Sequence, residues 1–267
     1  MKFVIQHNLM NDEQLNRTLA AVQPFPHLYV GLIPFSREIT CSESLDGVEY
    51  IPYGSTLLTN LTAKLGWRGC HFDIAKLNYE NFVRNRTDML NGEHIFDAEE
   101  AIRFLTNTMR GGNQHWFMRP SEDLKQFSGY VDGASELAAH LRSMIDSYNR
   151  GEAGTYGISP NTKVVLSSPK EISAEWRWFI VGGRIVSGSM YRAHGQLRKQ
   201  AENDAAVIAE AQALADRWLP LECVVMDTAL VRDEVKVVEF NTINSSGFYD
   251  NDVRVIFREL WKYHENV

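Results

Sequence analysis

The sequence predicts an α/β N-terminal unit followed by an α+β region built on antiparallel hairpins. Three observations carry this expectation. The N-terminal third alternates short apolar runs with helix-period segments, the pattern of a partly parallel sheet. Two β-prone runs flank Gly182-Gly183, a two-residue hairpin turn. Two Val-rich runs, 224–227 and 237–241, flank the polar break Arg232-Asp233-Glu234 and read as a second hairpin.

The elements follow in order. Residues 3–6 form a short strand, and Asp12 caps a helix with Leu15, Leu19 and Val22 on one face. Pro24 and Pro26 end that helix, 28–33 is a second strand and 48–51 a third. Gly54-Ser55 precedes a helix through Leu57, Leu58, Leu61 and Leu65. Residues 66–96, rich in Asn, Gly and aromatics, carry no clear period. Asp97 and Glu100 make a capping box for a helix bearing Ile102, Leu105 and Met109. Gly111-Gly112-Asn113 is a break, and the domain boundary is expected there. Beyond it lie a strand at 114–118, a polar segment at 119–129 and a helix marked by Leu137, Leu141, Met144, Ile145 and Tyr148. A strand at 163–166, the Gly182-Gly183 hairpin, an Ala-rich helix at 203–218 and the acidic hairpin complete the chain.

At 267 residues the chain is long enough for a large core, and 44% hydrophobic content with 11% aromatics is that of a globular protein. A net charge of −7 argues against a general polyanion binder and so against nucleic acid. Cys41, Cys70 and Cys223 are scattered without a CxxC, which points to reduced, buried thiols. The N-terminus lacks a signal peptide and no run reaches the length of a membrane span, so a cytoplasmic protein without membrane attachment is expected.

The acidic hairpin holds the strongest chemical signal. Asp227 and Glu239 interrupt apolar β-runs, and buried carboxylates need a cation or partner. A three-residue loop sets Asp227 opposite Glu239, with Cβ atoms about 5 Å apart, whereas a two-residue loop puts them on opposite faces. Asn241 then shares their face, and two carboxylates with an amide oxygen are a hard donor set suited to Mg²⁺. The bland alternative is an exposed edge hairpin with solvated acids.

The Gly182-Gly183 turn predicts Arg177 opposite Gly188, Glu175 opposite Met190 and Ser173 opposite Arg192. Glu175, Arg177 and Arg192 then share one face, with Trp176, Trp178 and Ile180 on the other. Such a face suits a polyphosphate, and equally an outward charged surface over an apolar core. Arg119 and Lys125 supply two more cations beside a strand end. Residues 242–249, with Ser245, Ser246, Gly247 and Tyr249, offer hydroxyls and backbone N–H groups to an anionic substrate, or simply turn the chain into its last helix. No HxH or HExxH spacing points to zinc, and no GxSxG, Walker lysine motif or GxGxxG is present.

Taken together, residues 117–249 resemble an ATP-grasp ligase, and the trace Glu175-Trp176-Arg177, Tyr191-Arg192 and Val238-Glu239-Phe240-Asn241 is similar to a phage-associated clade of that superfamily. The resemblance implies an ATP-grasp fold with antiparallel sheets. It divides the chain into an accessory domain at 1–110, a small subdomain at 111–172 and a large subdomain at 173–267. It implies that Arg119 and Lys125 hold the ATP phosphates, that Ser168, Pro169, Lys170 and Ile172 form the hinge that reads adenine, and that Glu175 binds ribose. Asp227, Glu239 and Asn241 correspond to the magnesium ligands, and Arg177 and Arg192 to groups acting on the transferring phosphate and the acceptor. ATP and Mg²⁺ are the implied cofactors, and a small carboxylate or peptide with an amine acceptor the implied substrates. The sequence departs from the pattern in lacking a glycine-rich lid, for which residues 119–125 stand in. The implied reaction is ADP-forming ligation through an acyl phosphate. The rivals are a kinase using a small acceptor, an inactive ATP-binding module, and a metal-dependent nuclease, which would want Lys where Asn241 stands.

Overall fold

The computed structural model describes residues 1–8, 10–33, 38–124, 126–152 and 157–266. Its contacts gather the chain into two compact units, Met1–Lys76 with Ile172–Val267, and Leu77–Glu171. The boundary expected near Gly111 falls inside the second unit. There a helix of residues Ala98–Thr108 shares one core with the helix Ala134–Asn149 that follows the break.

The first unit holds two sheets. Strand β1 (Lys2–Gln6) lies between β2 (His27–Ile33) and β4 (Tyr50–Tyr53), parallel to both, and β3 (Glu38–Cys41) adds an antiparallel edge. Helix α1 (Asp12–Val22) is capped by Asn11, whose Oδ1 accepts from the Gln14 N–H at 2.8 Å, so the expected cap moves one residue earlier and Asp12 sits in the first turn. Helix α2 (Thr56–Lys64) starts at Ser55. One face of this sheet packs Val4, Leu28, Val30 and Leu58 with Trp67. The other packs Phe3 and Ile5 against Phe179, Val225 and Phe257, so the chain's two ends build one core.

The second sheet runs β11 (Gln196–Ala201), β10 (Arg184–Ala193), β9 (Ala174–Val181), β12 (Val224–Val231), β13 (Glu234–Asn241), all antiparallel. Helix α6 (Ala205–Arg217) precedes β12, and α7 (Val253–Asn266) closes the chain. The Gly182-Gly183 turn forms as expected, with φ of +57° and +77°. The register beyond it does not. Irregularities between Ile185 and Ser187 and between Met190 and Arg192 shift the pairing, so that Trp178 faces Gly188, Arg177 faces Ser189 and Glu175 faces Arg192. The reason is steric: a Cβ at Gly188 would lie 2.2 Å from the Trp178 ring, so the indole needs the glycine opposite it.

The second unit holds α3 (Tyr79–Asn85), β5 (His94–Asp97), α4 (Ala98–Thr108), β6 (His115–Pro120), β7 (Tyr130–Gly133), α5 (Ala134–Asn149) and β8 (Lys163–Ser167). Its sheet order is β5-β8-β6-β7, antiparallel throughout. The Asp97 capping box is present. In this unit Arg86 forks onto Asp88 through two hydrogen bonds of 2.7 Å, both side chains largely buried.

Two histidines of the first unit also meet. The Nε2 atoms of His71 and His264 are 3.0 Å apart, and burial pushes both imidazoles down, to about 3 and about 4. The three cysteines are free; Cys223 is buried, while Cys41 and Cys70 are only partly so. Among the described residues no helix is long and apolar enough to cross a membrane.

Candidate active site

The acidic hairpin places its carboxylates by an unexpected route. Val231 pairs with Glu234, so the turn has two residues, with Arg232 at φ +57°. Such a turn alone would put the two acids on opposite faces. A register shift between Asp227 and Thr228 makes Val238 an extra residue in its strand, and Asp227 then stands opposite Glu239. Asn241, two residues on and opposite Val225, lies on the same face. Asp227 and Asn241 are buried and Glu239 is half-buried.

Asp227 also faces Arg177 on β9. The guanidinium forks onto it, Nε to Oδ1 at 2.8 Å and Nη2 to Oδ2 at 2.6 Å. Its Nη1 donates to the Gly247 carbonyl at 3.1 Å, and its centre lies 4.9 Å from the Tyr249 ring and 5.9 Å from that of Tyr191. Burial works against the charge, but the Asp227 carboxylate outweighs it and holds the guanidinium above its ordinary range. Tyr191 and Tyr249 stack with centroids 4.6 Å apart. Tyr191 donates to Glu175 Oε1 at 3.1 Å; burial and then the Asp227 and Glu175 carboxylates push its phenol up. Arg192, half exposed, meets Glu175 Oε2 at 3.1 Å. Glu175, Arg177 and Arg192 thus do share a face, but Arg177 grips an acid of the candidate metal set instead of standing open to a ligand.

The donors fit magnesium in kind: two carboxylates and an amide on one sheet face, with Asp227 already committed to a cation. Among the described residues no group of three or more His, Cys, Asp or Glu converges.

The loop after β13 divides its labour. Ser246, expected to offer its hydroxyl, turns it inward to the Thr242 carbonyl at 2.7 Å, and its own carbonyl accepts from Tyr53 at 2.7 Å. Asn244 donates to the Pro52 and Gly69 carbonyls and accepts from the His71 N–H. These residues fasten the loop to the N-terminal sheet, and the segment 52–54 is the other half of that fastening. Ser245 is half-buried. Gly247 and Tyr249 line a pocket of about 200 Å³ together with Arg177, Gln14, Arg17 and Lys199. Helix α1 was not expected to reach the site. Arg17 does so by donating to the Tyr249 and Asn251 carbonyls.

In the second unit Arg119 sits 4.8 Å over the Tyr79 ring and donates to its hydroxyl at 3.4 Å. Lys125 lies outside the described residues. Ser168 donates its N–H and hydroxyl to Glu93 at 3.0 and 2.7 Å, and Lys170 joins the same carboxylate. Burial raises the Glu93 pKa, but Lys170 and Ser168 outweigh it and leave it lowered. Glu93 was missed because residues 66–96 gave no period to place it. Pro169 is exposed and Ile172 half-buried; the second passage of the chain between the two units falls at Glu171–Ile172, within this segment.

Comparison with known proteins follows the same lines. The model of the ATP-grasp domain, R2K clade family 3, matches residues 62–260. The fold is similar to the crystal structure of the D-cycloserine synthetase DcsG, with 13% identity, TM-score 0.62, and 100% of this chain and 99% of that one covered. It is similar to a RimK domain protein ATP-grasp from Sphaerobacter thermophilus, with 13% identity, TM-score 0.59, and coverages of 98% and 100%. It is also similar to the D-alanine–D-alanine ligase of Bacillus anthracis, with 12% identity, TM-score 0.58, and coverages of 100% and 99%. At these identities the likeness is one of fold. No curated protein matches by sequence.

Proposed function

Given that the chain belongs to the ATP-grasp superfamily, R2K clade family 3, we propose that it is an ADP-forming, ATP-dependent carboxylate–amine ligase. The observation that carries the reading is the donor set Asp227, Glu239 and Asn241, aligned on one face by the Val238 irregularity, with Asp227 gripped by Arg177. Phosphoryl transfer asks the protein for charge neutralisation and alignment more than covalent help, and this face supplies fixed charge of both signs. A substrate carboxylate oxygen attacks the γ-phosphorus of ATP and ADP leaves. An amine then attacks the acyl carbon of the acyl phosphate, phosphate departs, and the amine proton passes to solvent or to phosphate.

The residues take these roles. Asp227, Glu239 and Asn241 hold Mg²⁺, which when bound neutralises the phosphate oxygens. Arg177 fixes Asp227 in one rotamer at the edge of the substrate pocket. By resemblance, Arg119 and Lys125 bind phosphates, Ser168, Pro169, Lys170 and Ile172 contact adenine, and Glu175 the ribose, its carboxylate held by Tyr191. Arg192 contributes to nucleotide or acceptor affinity, and Gly247 and Tyr249 with Ser245 contact the substrate.

The test is ADP release against pooled amino acids, peptides and small acids, with mass analysis of products. A product equal to acid plus amine less water supports ligation, and a phosphorylated acceptor would make the protein a kinase. Glu239→Gln should lower turnover by about 10²-fold or more, the scale on which one electrostatic partner of a transition state matters, with the fold intact. Near-normal activity across a magnesium titration would remove Glu239 from the metal set.

A further inference from the structure

The pocket at the start of α1 has a composition that narrows its ligand. Its charged lining is Arg17, Lys199, Arg177 and Glu13. Arg177 is neutralised by Asp227, which lies outside the lining. Arg17 is fixed by the Tyr249 and Asn251 carbonyls, which hold its geometry without cancelling its charge. Glu13 lies 4.0 Å from Arg17 and 3.9 Å from Lys199, too far for a hydrogen bond to either. The remaining balance is one excess positive charge, with an acid set between the two cations.

A simple anion would meet Arg17 and Lys199 but be repelled by Glu13, and like-charge contact is how a site rejects a partner. A ligand with one ammonium and two acidic groups satisfies all three and leaves the site neutral. Size points the same way, since about 200 Å³ is below the roughly 300–1,000 Å³ of pockets that take drug-sized ligands. Gly247 forms a bare wall. A Cβ there would meet only Gln14 Oε1, at 3.8 Å, so the space beyond it is open.

We infer that this pocket binds a free amino acid with an acidic side chain, its ammonium at Glu13 and its carboxylates at Arg17 and Lys199, as one of the two substrates. The inference rests on the ligase reading for its role but on the pocket alone for the binding. Calorimetric titration of the full chain with glutamate and aspartate, with and without a non-hydrolysable ATP analogue and Mg²⁺, tests it. Saturable binding is expected, weakened about tenfold, or roughly 1.4 kcal/mol, for glutamine, glutarate and N-acetylglutamate. Gly247→Ala and Gly247→Val should weaken it progressively with unchanged melting temperature, and Glu13→Gln should abolish the preference for glutamate over glutarate. Failure of both amino acids to saturate in either condition overturns the inference, as does indifference to substitution at Gly247. ADP release with peptides or other acids and no amino-acid binding would sink the inference and leave the ligase reading standing. Amino-acid binding without any binding of the ATP analogue would do the reverse.

Discussion

Two buried arginine–aspartate forks sit in the two units, and they differ in what surrounds them. Arg86 and Asp88 are two residues apart, and the chain itself brings them together. Arg177 and Asp227 are fifty residues apart and meet only through the register of β9 and β12. The second pair lies beneath stacked Tyr191 and Tyr249, Arg177 borders a pocket, and Asp227 stands opposite another carboxylate. Equal geometry therefore serves unlike ends. One fork satisfies local charge; the other holds a carboxylate that a metal site would share.

The comparison breaks most visibly when one partner is removed. Arg177→Met and Arg86→Met should each cost about 3–5 kcal/mol, because a buried carboxylate loses its guanidinium partner. Replacing both partners separates them. Arg86→Met with Asp88→Leu should restore most of the stability and leave turnover near normal, whereas Arg177→Met with Asp227→Leu should restore stability without turnover. Urea unfolding alongside ADP release reads both; recovery of turnover in the second double variant would make Arg177–Asp227 merely structural.

Deleting Val238 sharpens the same contrast. Val237 already pairs with Thr228 behind a two-residue turn, so removing the extra residue keeps Asp227 opposite Glu239 and takes away only the irregularity. The magnesium dependence of nucleotide binding should survive, with a fold still measurable by circular dichroism. Its loss would show that the irregularity itself, and not only the opposition of the two acids, shapes the metal set.

Arg192→Ala should give the smallest change. Its guanidinium is half exposed, so loss of the Glu175 contact should cost no more than about 1 kcal/mol. A larger loss in the same unfolding assay would mark Arg192 as part of the buried network. These measurements belong above pH 7, for a reason that is itself testable. The folded protein keeps His71 and His264 neutral, so below about pH 6.5 the unfolded chain binds protons that the folded chain does not. Stability should fall as pH drops from there toward about 4, and His71→Gln should flatten the slope.

Much of this was legible in the sequence, and the limits have physical causes. The Gly182-Gly183 turn, the Asp97 capping box and the face shared by Asp227, Glu239 and Asn241 depend on local residue chemistry, and they appear. The path to that face was not legible, because a register shift at Val238 has no signature of its own. The shift that seats Trp178 over Gly188 likewise became visible only with the indole in place. The partner of Arg177 could not be read at all: it depends on which strand lies beside β9, a non-local fact. Residues 66–96 hid α3, β5 and Glu93 because they follow neither helical nor strand period.

The core that joins Phe3 and Ile5 to Phe179, Val225 and Phe257 sets a timetable for synthesis. The first 76 residues leave the ribosome without the strands and helix that cover one side of their sheet. Phe257 is 181 residues beyond Lys76, so at roughly 5–20 residues per second the nascent sheet waits about ten to forty seconds for its cover. Meanwhile residues 77–171 emerge with every strand of their own sheet and can finish first. Ribosome-bound chains should therefore show a protected middle and a cleavable beginning, and a slow decoding stretch before residue 257 would lengthen the exposure of the N-terminal strands.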